Sequence, residues 1–188
     1  MTAPHPGLVD APLLRAARGL TASRVPVWFM RQAGRSLPEY RALRGEGSIL
    51  DAIRDPALSA EITLQPVRRY GVDAAILYSD IVVPAAAIGF GVDITPGVGP
   101  VVTEPFRSKA DLDRLRPFEP DADAPYVAET VRLVAAELGA TPLIGFAGAP
   151  FTVASYLIEG RPSRTYGLTK AMMHGEPVLW RELLDRLA

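Results

Sequence analysis

An α/β fold with parallel strands covered by helices is predicted by three features of the sequence. Compact apolar runs at Val25–Met30, Asp73–Tyr78 and Thr141–Phe146 alternate with longer stretches of helical periodicity. These runs are continuously apolar rather than alternating, as in strands buried on both faces of a sheet. Helix-start signals such as Asp55-Pro56, and a stop at Gly71, punctuate the intervening segments.

Taken in order, residues 1–9 read as a flexible, Pro-rich tail, and residues 10–188 as one structured region. Leu13–Leu20 has the spacing of an amphipathic helix. Val25–Met30 is expected to be a buried strand, followed by a loop and a helix that Pro38 starts and that runs to about Arg44. Ser48–Ile53 is a short helix. The helix capped by Asp55 carries Leu58, Ile62, Leu64, Val67 and Tyr70 at largely helical spacing, with Pro66 as an expected kink. After the Asp73–Tyr78 strand, Pro84–Phe90 reads as a helix. Gly91–Glu104 is an extended excursion with a hairpin expected around Pro96-Gly97. Lys109–Leu115 is a short helix, and Asp123–Leu138 a longer one with Val127, Val131, Val134 and Leu138 on one side. A third strand at Thr141–Phe146 leads through Gly148-Ala149-Pro150 into a helix, and Ser163–Met173 and Glu176–Leu187 are helices.

Composition narrows the function. The chain has 188 residues, 48% hydrophobic, with a formal net charge of -1, enough for a substantial core and too neutral for a general binder of nucleic acid or membrane surfaces. It contains no cysteine, which removes disulfides, thiolate metal sites and a cysteine nucleophile from this chain. His5 and His174 have no partner at metal-ligand spacing, so no metal site is expected. No run reaches the roughly 18 apolar residues of a membrane helix, and a cytoplasmic location is the expectation.

The most chemically pointed segment is Pro26 to Arg44. It leaves an apolar run, passes Gly34, and gathers Arg31, Arg35, Arg41 and Arg44 with no acidic residue before Glu39. Guanidinium groups stay charged and grip carboxylates or phosphates through paired hydrogen bonds. A solvated arginine face is the plain alternative. The apolar flank of Val25, Val27, Trp28 and Phe29 argues instead for the mouth of a core and a polyanionic ligand. Asp80 directly follows an apolar strand, where it is either a catalytic carboxylate or a cap for the next helix. Tyr156 reads on its own as an amphipathic core residue. Gly145, Gly148 and Pro150 fit a tight strand-to-helix turn, without the Lys and Ser/Thr of a phosphate loop.

Three segments, Pro26–Arg41, Ala74–Pro84 and Gly145–Tyr156, together resemble motifs of the uroporphyrinogen decarboxylase family, in the same order and spanning most of the chain. That resemblance implies a (β/α)8 TIM-type barrel. A complete barrel takes about 250 residues, so the chain is expected to be the N-terminal part of a longer, homodimeric protein. It also implies a tetrapyrrole substrate whose four acetate arms lose carbon dioxide without a cofactor, since the pyrrole ring serves as the electron sink. Arg31, Gln32, Ala33, Gly34, Arg35, Arg44, Asp80 and Tyr156 match its substrate-binding positions, with Arg44 either assisting at another carboxylate or only pairing with Glu46. Asp80 would face the pyrrole N–H groups, Arg31 and Arg35 would hold peripheral carboxylates, and Tyr156 would donate to one. One arginine is a candidate proton relay, a demanding role for so weak an acid. The family's later serine and histidine have no counterpart here, so the chain alone is expected to bind substrate poorly and turn over little.

Two other readings remain. Cobalamin-linked methyltransferases use a related barrel and a zinc site placed further along their chains; the Arg31–Arg35 motif argues against them. A non-catalytic barrel piece that binds anions or a partner subunit is the third.

Overall fold

The computed structural model describes residues 5–188, the side chains of residues 31–33 excepted. Ten α-helices and four short strands occur among the described residues, grouped into two units.

The first unit comprises the chain up to Gly47, Asp51–Ser79 and Tyr126–Phe146. It opens with a 3-10 turn at Pro6–Asp10, and α1 spans Pro12–Ala17. That helix ends three residues before the expected Leu20, because Gly19 turns left-handed (φ 71°) and the Leu20 N–H folds back onto the Arg15 carbonyl. A 3-10 turn at Arg31–Ser36 leads into α2, Pro38–Arg44. Helix α3 is Ile49–Arg54, and α4 is Pro56–Tyr70.

Local chemistry explains α4. The Asp55 carboxylate accepts from the Ala57 and Leu58 N–H groups at 3.0 and 3.1 Å, satisfying two donors with no helical partner. At the other end Gly71 adopts φ 62° and returns its N–H to the Val67 carbonyl at 2.9 Å. Helix α4 continues through Pro66 to Tyr70.

Strand β1 (Ala75–Ile76) pairs in parallel with β4 (Leu143–Ile144), in the register Ala75 to Leu143. Further bonds from Ala75 N–H to Pro142 and from Leu77 N–H to Ile144 extend the contact. The parallel pairing matches the expectation from continuous apolar runs. Ala60 and Leu64 of α4, Ala75 of β1, and Val134 and Leu138 of helix α7 (Pro125–Leu138) form one buried cluster. Fully burying each leucine contributes roughly 1.5–3 kcal/mol. The inward stripe of α7 runs through Thr130, Val134 and Leu138; Val131, expected on that face, is 37% exposed.

The expected strand at Val25–Met30 is not one. Val25 is 84% exposed and Met30 65%. Its one backbone link to Asp73 is the Val27 carbonyl, which accepts from the Asp73 N–H at 2.7 Å. The Val27 N–H is taken by the Asp73 carboxylate at 2.9 Å, so a side chain stands where a ladder partner would be.

The second unit comprises Ser48–Leu50, Asp80–Pro125 and Ala147–Ala188. Helix α5 is Val83–Ala87. The expected hairpin is present, with β2 (Val92–Thr95) antiparallel to β3 (Gly99–Val102). In its turn the Val98 N–H reaches the Thr95 carbonyl, Pro96 holds the second position and Gly97 has φ 76°, as a type II turn requires. The expected Lys109–Leu115 helix is a 3-10 turn over Lys109–Arg114. The helix expected over Asp123–Leu138 starts two residues later, as α7 at Pro125; a short separate helix, α6 (Pro120–Asp123), precedes it, and Ala124 between them leaves helical geometry (φ -141°, ψ 50°) because Pro125 follows.

Helices α8 (Pro150–Glu159), α9 (Gly167–Gly175) and α10 (Pro177–Leu187) pack on one another. Helix α9 starts four residues later than expected. The Ser163 hydroxyl takes the Tyr166 N–H, and Tyr166 is held left-handed at φ 52°. Phe90, Phe106, Leu157, Ile158 and Leu183 are wholly enclosed. Among the described residues no helix is long and apolar enough to cross a membrane.

Candidate active site

The arginine motif lies in the first unit. Arg31, Gln32 and Ala33 take part in the 3-10 turn with their backbone; their side chains lie outside the described part. Gly34 is buried, with room for an added Cβ at 3.5 Å from Pro66, and its carbonyl accepts from the Leu37 N–H. The chain turns through Gly34. Arg35 is exposed at the end of that turn.

Arg44 ends α2 with its side chain half-buried. Its two terminal nitrogens donate to its own loop: Nη1 to the Gly45 carbonyl at 3.5 Å and Nη2 to the Gly47 carbonyl at 2.6 Å. Tyr40, one helical turn earlier, meets Tyr78 edge-on with ring centroids 6.3 Å apart. Burial pushes the Tyr78 phenol up to about 12. It therefore stays a neutral donor at physiological pH.

Phe29 and Met30, expected against a core, line a cavity of about 20 Å³ with Ile62, Thr63, Pro66 and Tyr78, and Phe29 packs edge-on against Tyr70 at 5.6 Å. That volume admits a single water.

Asp73 was not singled out by the sequence, although a carboxylate heading an apolar run is an available signal. Its side chain is 6% exposed and contacts Arg24 Nη2 at 2.5 Å. The Val27 N–H bond, and then Arg24, hold its carboxyl below the usual aspartate range. A depressed folded pKa adds stability above the unfolded value, and this is lost as pH falls through the folded one. Arg24 is largely exposed, so most of the effect comes from the backbone bond. Asp73→Asn is expected to cost about 1–3 kcal/mol at neutral pH. In urea unfolding the gap from wild type should close as pH drops below about 4.

Asp80 and Tyr156 lie in the second unit. Asp80 is half-buried and comes directly after the Ala75–Ser79 run, at the C-terminal side of β1. Its carboxylate accepts from the Val82 N–H at 3.2 Å, and its carbonyl from the Val83 N–H at 3.2 Å. The capping role weighed for Asp80 is thus met by a local turn, while the N-cap of α5 is Val82. An Asx turn of this kind fixes the carboxylate close to its own backbone without burying it.

Tyr156 is half-buried on α8, and its carbonyl accepts from Gly160, whose φ is 77°. Gly148 explains the loop before α8. A Cβ there would come within 2.6 Å of Val153 Cγ2 and 3.0 Å of Ile81 Cβ. Only glycine lets the loop close onto Ile81, the residue after Asp80, and onto Val153, one turn before Tyr156. At Gly145, expected in the same tight turn, an added Cβ would meet nothing within 4 Å, so no close approach requires a glycine there. Phe151 and Phe146 are 44% and 39% exposed, and Phe151 packs edge-on against Trp180. Among the described residues no three His, Cys, Asp or Glu side chains are placed to hold a metal ion.

Residues 9–188 match the family model for uroporphyrinogen decarboxylase. A uroporphyrinogen decarboxylase of Salinispora tropica is 61% identical over 186 residues, covering 98% of this chain and 50% of that protein. One of Streptomyces griseus is 63% identical, covering 95% and 49%, and one of Frankia casuarinae is 63% identical, covering 98% and 50%. The chain thus spans about half the length of the relatives it matches. Among solved structures, a methyltransferase from Methanosarcina mazei has TM-score 0.66 at 20% identity, covering 96% of this chain and 52% of that one; the likeness is one of fold. The fold is α/β of the TIM-barrel type, helices dominant, and the chain belongs to the uroporphyrinogen decarboxylase family.

Proposed function

We propose that the chain is the N-terminal part of a (β/α)8 barrel, and that the intact protein is a cytoplasmic, homodimeric uroporphyrinogen decarboxylase. The observation that carries this is the 61–63% identity to three proteins of that name across nearly the whole chain. The substrate is a cyclic tetrapyrrole with acetate and propionate arms, and each acetate becomes a methyl group.

The chemistry needs an electron sink, and the substrate has one. A proton added to a pyrrole carbon beside the acetate arm makes an iminium-like cation. The acetate carbon–carboxyl bond then breaks, carbon dioxide leaves, and the electron pair neutralises the cation. A second proton converts the exocyclic methylene to methyl, and loss of the first restores the ring. One proton is consumed per carbon dioxide.

A carboxylate at Asp80 stabilises that cation through the pyrrole N–H groups, and its effect is larger in a dry cavity than in water. Arg31, Arg35 and Arg44 bind peripheral carboxylates, with Gln32, Ala33 and Gly34 shaping their turn; Tyr156 donates to another. The 188-residue part alone binds substrate weakly and turns over little.

The test is anaerobic incubation of the intact protein with uroporphyrinogen and no added cofactor. Coproporphyrinogen and four equivalents of carbon dioxide are expected. Transfer of a methyl group to a thiol, with no carbon dioxide, would place the protein with the methyltransferases.

A further inference from the structure

Of the three buried polar atoms in the first unit that have no hydrogen-bond partner among the described residues, one is Gln65 Oε1 and the other two belong to side chains that influence one another. These two are Arg44 Nε and the Tyr78 hydroxyl; each exposes less than 1 Å². Leaving such groups unpaired in the interior is costly, so each calls for a physical reason.

Their setting supplies one. Tyr40 and Arg44 stand one turn apart on α2 and share a face. Tyr40 touches the Tyr78 ring edge-on. Tyr78 is 5% exposed, and its backbone N–H is pinned to the Thr63 hydroxyl at 2.9 Å. The Arg44 guanidinium beside it lowers the phenol's pKa, opposing burial and Tyr40. An Nε–H is a donor and a phenol oxygen can accept, so the two unmet atoms are complementary.

We propose that Tyr78 is a positioning residue for Arg44: its hydroxyl takes the Arg44 Nε–H, directly or through one water, and fixes the plane of the guanidinium. The inference rests on the reading that Arg44 grips a substrate carboxylate. Once Nε is held, the two terminal nitrogens can point only along one edge. Nη2 keeps the short bond to Gly47. Nη1 reaches Gly45 at 3.5 Å, the long limit of a hydrogen bond. It is therefore the nitrogen that exchanges a neutral carbonyl for a charged carboxylate, which binds more strongly. Without the hydroxyl, the guanidinium can rotate about its last bonds and the exchange loses its direction.

The test uses Tyr78→Phe, Arg44→Lys and the double variant in the intact protein. Tyr78→Phe keeps the ring and should fold. It is expected to raise KM for uroporphyrinogen about five- to tenfold, with kcat falling less than about threefold. In the Arg44→Lys background the same change should add nothing, because a tyrosine that acts through Arg44 has no further effect once Arg44 is gone. Additive effects on KM, or an unchanged KM in Tyr78→Phe, would overturn the proposal. A second measurement needs no turnover. The Arg44 Nε–H should exchange with solvent at least about tenfold more slowly than that of exposed Arg41, and should speed up in Tyr78→Phe. Equal exchange at Arg41 and Arg44 in the wild type would also overturn it. Absence of any decarboxylation by the wild type would sink the decarboxylase reading, while the exchange rates still decide whether Tyr78 holds Arg44.

Discussion

Asp80→Asn in the intact protein is expected to lower kcat by about 10²- to 10³-fold while KM moves less than about threefold. The substitution is nearly isosteric. The amide oxygen can still accept the Val82 N–H bond that Asp80 makes at 3.2 Å, so the turn before α5 survives. What disappears is the negative charge. If that charge stabilises a cationic ring formed only during reaction, its loss falls on the chemical step and leaves ground-state binding nearly intact. A protein that merely binds anions would respond the other way: removing a carboxylate would leave binding unchanged or tighten it, with no rate to lose. Steady-state kinetics on uroporphyrinogen, together with the melting temperature of the variant, separate these outcomes.

Phe106→Ala should cost about 3–5 kcal/mol of stability. Phe106 is 0% exposed, and its N–H bonds to the Leu157 carbonyl on α8 at 2.9 Å. Arg107 also donates to the Ile158 carbonyl. The truncation therefore opens a cavity directly against the helix that carries Tyr156. For a chain of this size a loss of that order lowers the melting temperature by about 10 °C or more. Phe151→Ala is the control. Phe151 sits on the same helix but is 44% exposed, and its main ring contact is with Trp180. It should shift the melting temperature much less. Equal shifts from the two would mean that the packing around Phe106 is not what holds α8.

The elements that could be read from the sequence are those whose causes are local. Asp55 and Gly71 bracket α4 because a carboxylate cap and a left-handed glycine act within one turn of themselves. Pro96-Gly97 marks the hairpin for the same reason. Within the expected Asp73–Tyr78 strand only Ala75–Ile76 forms one, and its parallel pairing was legible in the continuous apolar run. Val25–Met30 is also an apolar run and fails as a strand. What decides it is whether a neighbour supplies a backbone ladder, and here the Asp73 carboxylate takes the place of one. The two-residue offset at the start of α7 comes from Pro125, which takes the first helical position and disfavours helix at Ala124.

In the site, Asp80 and the arginine motif stood out through their chemistry and their resemblance to a family. The glycine at 148 could be named, though not the reason for it, which is the approach of Ile81 and Val153. Asp73 and Tyr78 carry their weight only through residues distant in sequence: Arg24 and Val27 for the first, Tyr40 and Arg44 for the second. No periodicity or spacing announces such pairs.

The most direct test is the crystal structure of the intact protein with coproporphyrinogen bound. An Asp80 carboxylate oxygen within hydrogen-bond reach of the pyrrole nitrogens, with Arg35 on a peripheral carboxylate of the same molecule, is the predicted result. A ligand seated with its nitrogen-rich centre turned from Asp80, or bound with Arg35 left in solvent, would contradict it.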